Sequence, residues 1–309
     1  MPQTYRLITR NDFDGLVCAV LFRSLGLVDE IAFAHPKDMQ DGKVPVSDHD
    51  ITANLPFTPG VHLAFDHHAS EATRLGTTPP NLVLDPAKPS AARVVYEHYG
   101  GKATFPKISA ELMGAVDEAD AAGYTEFEQI FEPTGWNLLN YILDPRTGLS
   151  KLPFRKDQDA MVRELADAVG TKSADEILAL PDVKERVDRY RDEEAKARDQ
   201  IKKHSSVHGN LVVVDLRNES TIHAVNRFVV YTMFPKQNIS LTALKADAPD
   251  TVMLAVGRSI LNPSSKTHVG ELMLSHGGGG HAGAGTCQVP NGKADDVMRQ
   301  LIERITADG

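Results

Sequence analysis

The stretch TYRLITRNDFDGLVCAVLFRSLG, residues 4–26, decides the fold. Residues 4–9, TYRLIT, are short and rich in β-formers, so they predict a strand. Residues 10–15, RNDFDG, are polar and end on a glycine, as a loop does. Residues 16–26, LVCAVLFRSLG, are apolar enough for a buried helix that stops at Gly26. Working outward, DEIAFAHP (29–36) reads as a second strand closed by Pro36. KVPVSDHD (43–50) and VHLAFDHH (61–68) each read as a short apolar strand running into acids and histidines. PSAARVVYEHYG (89–100) predicts a helix with Ser90 as its N-cap and Gly100 near its end. Strands alternating with helices imply an α/β domain with a mainly parallel sheet.

The remaining chain extends that pattern. Residues 155–203 are helical in character, and DVKERVDRYRDEEAKARDQIKK (182–203) interleaves charges of both signs, predicting a solvated connecting helix held by i,i+4 pairs. LVVVDLRN (211–218), NISLTALKA (238–246) and VMLAVGRSI (252–260) return to strand character. ELMLSHGGGGHAGAGTC (271–287) and a terminal helix, ADDVMRQLIERITA (294–307), follow. The expected organisation is an α/β domain with a mainly parallel sheet over 1–150, a helical connector over 151–208 and a smaller α/β domain with a mixed sheet over 209–309.

At 309 residues the chain has room for one large domain or two ordinary ones. An apolar fraction of 41% and a charged fraction of 24% exclude collagen, long disordered tails and coiled-coil rods. No run approaches the length of a membrane-spanning helix. The opening residues lack a basic-then-apolar leader, so a cytoplasmic address is expected. Cys18 and Cys287 are too far apart to form a metal-type pair, which excludes a disulfide scaffold and argues against thiolate-held zinc. A net charge of −9 disfavours long duplex nucleic acid. It still allows a short phosphate-bearing molecule bound through a local pocket or through metal ions.

The acids are not scattered. Asp12 and Asp14 follow the first strand, and two carboxylates on one side repel each other unless a cation lies between them. Asp48, His49 and Asp50 form a second cluster; Asp66, His67 and His68 form a third. Asp117 and Asp120 would share one face of a helix. Carboxylates mixed with imidazole suit Mn, Fe, Zn or Mg, and carboxylate-rich sites lean towards Mn or Mg. In the C-terminal part, Gly277–Gly280, His281, Gly283 and Gly285 put six glycines in nine positions. Glycines let backbone N–H groups come close to phosphate oxygens, so Gly278, Gly279, Gly280 and His281 are candidates for substrate binding. Arg227 and Arg258 are further candidates for phosphate contacts.

The order DFDG, DHD, FDHH, DEAD, followed by GGGGHAGAG, resembles the DHH/DHHA1 phosphoesterase superfamily over roughly residues 5–125 and 210–300. The spacing, with NRFVVYTMFP and GRSILNP, looks most like bacterial members labelled exopolyphosphatase-related. The resemblance implies two divalent ions, Mn first with Mg or Co as alternatives, that clamp a phosphoryl group and activate a water between them. It assigns Asp12 and Asp14 as the paired acids of the first motif. Asp50 becomes the bridging acid in preference to Asp48, since Asp-Ile-Thr resembles the family's Asp-Ile-small pattern. His67 becomes a metal ligand, and Asp120, in preference to Asp117, the fourth-motif acid. His68 would face the phosphate and Asp66 would orient the histidines. One position departs from the pattern: Arg10 stands where many relatives place a metal-binding histidine. An arginine stays protonated and cannot be a ligand, but it can grip a phosphate oxygen.

The function so implied is hydrolysis of a small phosphate ester or anhydride. Short oligonucleotides, phosphoadenosine phosphate and dinucleotides come first. Inorganic polyphosphate is the alternative substrate, and a nucleotide-binding sensor with a weakened centre is the alternative of another class. The resemblance also allows a homodimer.

Overall fold

A computed structural model describes residues 3–246 and 248–309. In chain order the elements are β1 (Tyr5–Thr9), α1 (Phe13–Ser24), β2 (Val28–Phe33), α2 (Pro36–Gln40), β3 (Asp50–Ala53), β4 (Leu63–Asp66), α3 (Ala69–Leu75), β5 (Leu82–Leu84), α4 (Ala91–His98), α5 (Ala110–Asp120), α6 (Phe127–Phe131) and α7 (Gly135–Leu143). They continue through α8 (Gln158–Ala168), α9 (Ala174–Leu178), α10 (Pro181–Lys203), β6 (Ser205–His208), β7 (Leu211–Asp215), α11 (Val229–Met233), β8 (Ile239–Lys245), β9 (Thr251–Arg258), α12 (Val269–Leu274), β10 (Gly279–Gly280), β11 (Ala284–Pro290) and α13 (Ala294–Asp308). No helix among the described residues is long and apolar enough to cross a membrane.

Two compact units divide the chain. The first comprises Met1–Gly123 and Pro133–Tyr190; the second comprises Tyr124–Glu132 and Arg191–Gly309. The stretch 151–208 is shared between them. α8 and α9 belong to the first unit, where α8 packs against α1. α10 runs through the boundary between Tyr190 and Arg191. It carries i,i+4 pairs such as Lys184–Asp188 at 2.7 Å, but it is less solvated than its charges suggest. Val183, Val187, Tyr190 and Ala197 are buried, and so is Arg186, which stacks over Phe154 and donates to the Lys156 carbonyl.

In the first unit a five-stranded parallel sheet has the order β2-β1-β3-β4-β5. The strand order reverses between β1 and β3, so a crevice opens at their carboxyl ends, where ligands of such sheets bind. The central helix α1 is buried from Phe13 to Phe22. Each large apolar side chain buried there contributes about 1.5–3 kcal/mol, which fixes the loop before the helix firmly over the crevice. Phe22 packs edge-on against Phe65 of β4 at 5.5 Å.

One strand differs from the sequence expectation. KVPVSDHD forms no strand; the strand begins at Asp50 and covers DITA. The buried apolar pattern is carried by Ile51 and Ala53, whereas the segment before it, from Lys43 to His49, is largely exposed. Asp50 thus stands at the amino end of β3 rather than the carboxyl end.

The second unit holds a six-stranded mixed sheet of order β10-β11-β9-β8-β7-β6, with β7 and β8 parallel and the other pairs antiparallel. Its core joins Leu211, Ile239, Leu241, Leu254 and Val269 to Met298, Leu301 and Ile305 of α13.

Candidate active site

The site begins where β1 hands over to α1. Asp12 caps α1 by accepting from the Gly15 N–H at 2.9 Å. A side chain at residue 15 has no room: its Cβ would lie 2.0 Å from the Arg10 carbonyl oxygen. That close approach is why the motif ends in glycine. Asp14, in the first turn and buried, accepts from the N–H groups of Ala91 and Ala92 at 3.0 and 2.8 Å. These are the first N–H groups of α4, whose positive end favours a carboxylate there. Ser90 caps the same helix by accepting from the Arg93 N–H.

β4 delivers Asp66, His67 and His68. Asp66 is buried and places Oδ1 2.7 Å from His68 Nδ1, which turns His68 Nε2 outward. The Asp66 contact pushes the His68 pKa up against the opposing effect of burial. His67 Nδ1 lies 3.1 Å from the Lys88 carbonyl, which requires a proton on Nδ1. Its Nε2 then faces Asp120 Oδ2 at 2.9 Å, yet makes no aligned hydrogen bond. A neutral imidazole would present a lone pair to a carboxylate, an arrangement that needs either a proton or a metal ion in between.

Ligand atoms of Asp14, His67 and Asp120 lie within 4.8 Å of one another. Burial, then Asp120 and Asp12, push the Asp14 carboxyl up to about 8. Burial opposes charge on His67, but Asp120 and Asp14 outweigh it and hold the imidazole at about 9. Burial likewise raises Asp12, partly offset by Arg10. Asp120 is lowered, because His67 overcomes its burial. Buried carboxylates set beside one another disfavour charge, and a cation among them would relieve that cost. The donor set, two carboxylates and one imidazole nitrogen, fits a divalent cation such as Mn.

Around this cluster, Arg10 lies with Nε 3.0 Å from Asp12 Oδ2. Asn54 follows β3 in a left-handed conformation, φ 57°, and donates from Nδ2 to Asp12 Oδ1 at 3.2 Å. Arg10, Asn54, Asp66 and His68 line one small cleft. A larger one of about 580 Å³ is lined by Arg10, Asn11, Asp12, His35, Arg146 and Gln158, among others. Arg146 is half exposed and paired with Asp144; burial works against its charge, and Asp144, Asp12 and Asp120 outweigh it.

The structure thus brings together Asp12, Asp14, Asp66, His67, His68, Asp120 and Arg10, all in the first unit. It does not bring Asp50 to them. Asp50 pairs with Arg6 at 2.7 Å and accepts from Ser47 at the amino end of β3, so the bridging role is corrected: Asn54 stands at the carboxyl end instead. Asp48 is exposed in the turn before β3. Asp117 is taken up by Ser90 Oγ at 2.7 Å and by Arg93, which makes it a brace between α5 and α4. Sequence reasoning missed Asn54 and Arg146. Reading β3 for its carboxyl end would have found Asn54. Arg146 sits in a short turn after α7, far along the chain from Asp12, and carries no motif.

In the second unit the glycine run builds a hairpin. A Cβ on Gly278 would lie 2.0 Å from the Thr286 carbonyl oxygen, and one on Gly280, φ 155°, 2.2 Å from that of Ala284. These two glycines are required by packing, while Gly279 faces open space. His281 is exposed at the hairpin tip. Arg258 spends its guanidinium on the Thr267 carbonyl, and exposed Arg227 lies over the Phe228 ring at 4.6 Å.

No protein-family model and no curated protein sequence matches the chain. Among solved structures, it is similar to the pGpG-specific phosphodiesterase PggH from Vibrio cholerae. The two share 49% sequence identity over 99% of this chain and 100% of that one, with a TM-score of 0.89. RecJ from Thermus thermophilus, in complex with Mn2+, matches at 16% identity over 99% of this chain and 52% of that one, with a TM-score of 0.48.

Proposed function

The chain belongs to the DHH/DHHA1 phosphoesterase superfamily, and from that premise we propose that it hydrolyses the phosphodiester of a 5′-phosphorylated linear dinucleotide, with pGpG as the first substrate and Mn as the first cation to test. The observation that carries this reading is the 49% identity to a pGpG-specific phosphodiesterase along the whole chain. The cluster of Asp14, His67 and Asp120 at the crevice supports it.

Those three residues would hold the cation. When bound, a divalent ion supplies positive charge to phosphoryl oxygens and acidifies water. The protein's own groups do the rest. Asp66 keeps the Nδ1 proton of His68 in place and raises its pKa, which favours Nε2 as the group that carries a proton to the departing sugar oxygen. Arg10 and Arg146, in one cleft, offer two guanidinium groups to the anionic oxygens of a short substrate. Taken by itself, the glycine hairpin of the second unit, with the open backbone of Gly279 and the exposed His281, is proposed as a nucleotide-binding element.

A substrate panel tests the proposal. Purified protein with Mn is given pGpG, other dinucleotides, tri- to pentanucleotides, phosphoadenosine phosphate and polyphosphate, and products are separated by chromatography. GMP from pGpG, at a kcat/KM above all other substrates, is expected. Phosphate from polyphosphate with pGpG untouched would refute it. Binding of pGpG without turnover would support a sensor instead.

A further inference from the structure

Resting on the reading of pGpG as substrate, we propose that the cleft of about 580 Å³ in the first unit is a guanine subsite, in which the Asp159 carboxylate accepts from the base while Arg10 and Arg146 hold the phosphate of the same nucleotide.

Size and lining argue this first. The volume lies within the ~300–1,000 Å³ of small-ligand sites and exceeds what one phosphate group fills. Its two guanidinium groups belong to the side of the acid cluster: Arg10 meets Asp12 at 3.0 Å, and Arg146 feels the charges of Asp12 and Asp120. Half-buried Phe33, at the end of β2, adds an aromatic wall of the kind on which bases stack. Asp159 stands in the first turn of α8 and is half exposed. Its Oδ1 accepts from Asn11 Nδ2. Among the described residues its Oδ2 has no hydrogen bond, and the Arg163 Nη2 beside it is 3.9 Å away. A carboxylate offers about four lone-pair sites, so most of its accepting capacity stays open. Asn11 is itself held, since Gln158 Nε2 donates to the Asn11 carbonyl at 3.2 Å and to the Leu143 carbonyl at 2.9 Å. The acceptor is thereby preorganised against the loop that carries Arg10 and Asp12. His35 accepts from the Lys37 N–H at Nδ1, 3.2 Å, which puts the proton of the neutral ring on Nε2 and makes it a donor.

Base chemistry selects among occupants. Guanine presents two donors side by side, N1–H and the 2-amino group, and acceptors at O6 and N7. One carboxylate takes both donors, and an imidazole N–H suits either acceptor. Adenine places the N1 lone pair beside its 6-amino group, so a carboxylate facing that edge meets one donor and one lone pair. Asp159 therefore favours guanine and penalises adenine. The guanidinium groups add affinity for the phosphate without reading the base.

The test reads binding rather than turnover. GMP, IMP and AMP are titrated calorimetrically into the wild type and into Asp159→Asn. That substitution is close to isosteric: the new amide keeps an oxygen for Asn11 and turns its NH2 to where Oδ2 stood, a donor that opposes guanine and suits adenine N1. The wild type is expected to bind GMP about 10–100-fold more tightly than AMP, with IMP, which lacks the 2-amino group, between them. Asp159→Asn should lose most of the GMP affinity and keep AMP within a few-fold. Equal affinity for GMP and AMP in the wild type would overturn the inference, as would a variant that keeps its GMP affinity. A variant in which both affinities fall together would overturn it too and leave Asp159 as a brace for Asn11. Turnover tests the substrate reading apart from the subsite: a wild type that prefers GMP through Asp159 yet leaves pGpG intact would uphold the subsite and refute that reading.

Discussion

Moving the pH of metal-free protein between 6.5 and 9 should change its Mn affinity in steps that the site geometry sets. Asp14 is held up to about 8 and His67 to about 9, so at pH 7 both carry a proton when no metal is bound. Asp120 is lowered and is already ionised there. Ligation through Asp14 Oδ and His67 Nε2 must displace both protons, so binding at pH 7 should release about two protons per ion. Affinity should then rise about 100-fold per pH unit below pH 8, about tenfold between 8 and 9, and level off above 9. Isothermal titration calorimetry in buffers of different ionisation enthalpy counts the protons directly. The same groups set the stability of the metal-free protein. Both are raised above their ordinary values of 3.8 and 6.5. Their contribution is full below those values and lost as pH climbs through about 8 and about 9. The melting temperature without metal should therefore fall from pH 6.5 to 9 while Mn protects increasingly. A proton count near zero at pH 7, or an affinity flat from pH 6.5 to 8, would refute the assignment of Asp14 and His67 as ligands.

Three other perturbations separate the parts of the account. Asp50→Ala strands the Arg6 guanidinium and should cost about 2–3 kcal/mol in urea unfolding, with Mn content unchanged; lost Mn would return Asp50 to the site. Arg146→Ala should raise KM for pGpG about tenfold and leave kcat within a few-fold, an effect that shrinks for the dinucleotide lacking the 5′-phosphate. Asp66→Asn removes the carboxylate that raises the His68 pKa, so the basic limb of the kcat profile should move to lower pH, and an unmoved limb would remove His68 from proton transfer.

Much of this was legible in the sequence where local and global signals agree. The residues from Tyr5 to Gly26 carry a strand, a capped turn and an apolar helix, and the structure forms all three. Ser90 announces α4 and also, through that helix end, the seat of Asp14. Charge clustering misled at DHD. Acids gather there for a reason local to the turn, namely the pairing of Asp50 with Arg6 and Ser47, while the position facing the crevice is held by an uncharged Asn54. The glycine run has the composition of a phosphate cradle, and the hairpin also demands Gly278 and Gly280, a packing need that sequence pattern cannot distinguish from a binding one. Arg146 reaches the site only through tertiary folding from a turn without periodicity.

The most direct test of the central claim is single-turnover release of GMP from pGpG with Mn by the wild type and by Asp14→Ala, each shown to be folded. The account predicts GMP from the wild type and a loss of about a thousandfold or more in the variant, since Asp14 both holds the ion and is anchored by α4. Equal rates in the two proteins, or none from wild type with Mn bound, would contradict it.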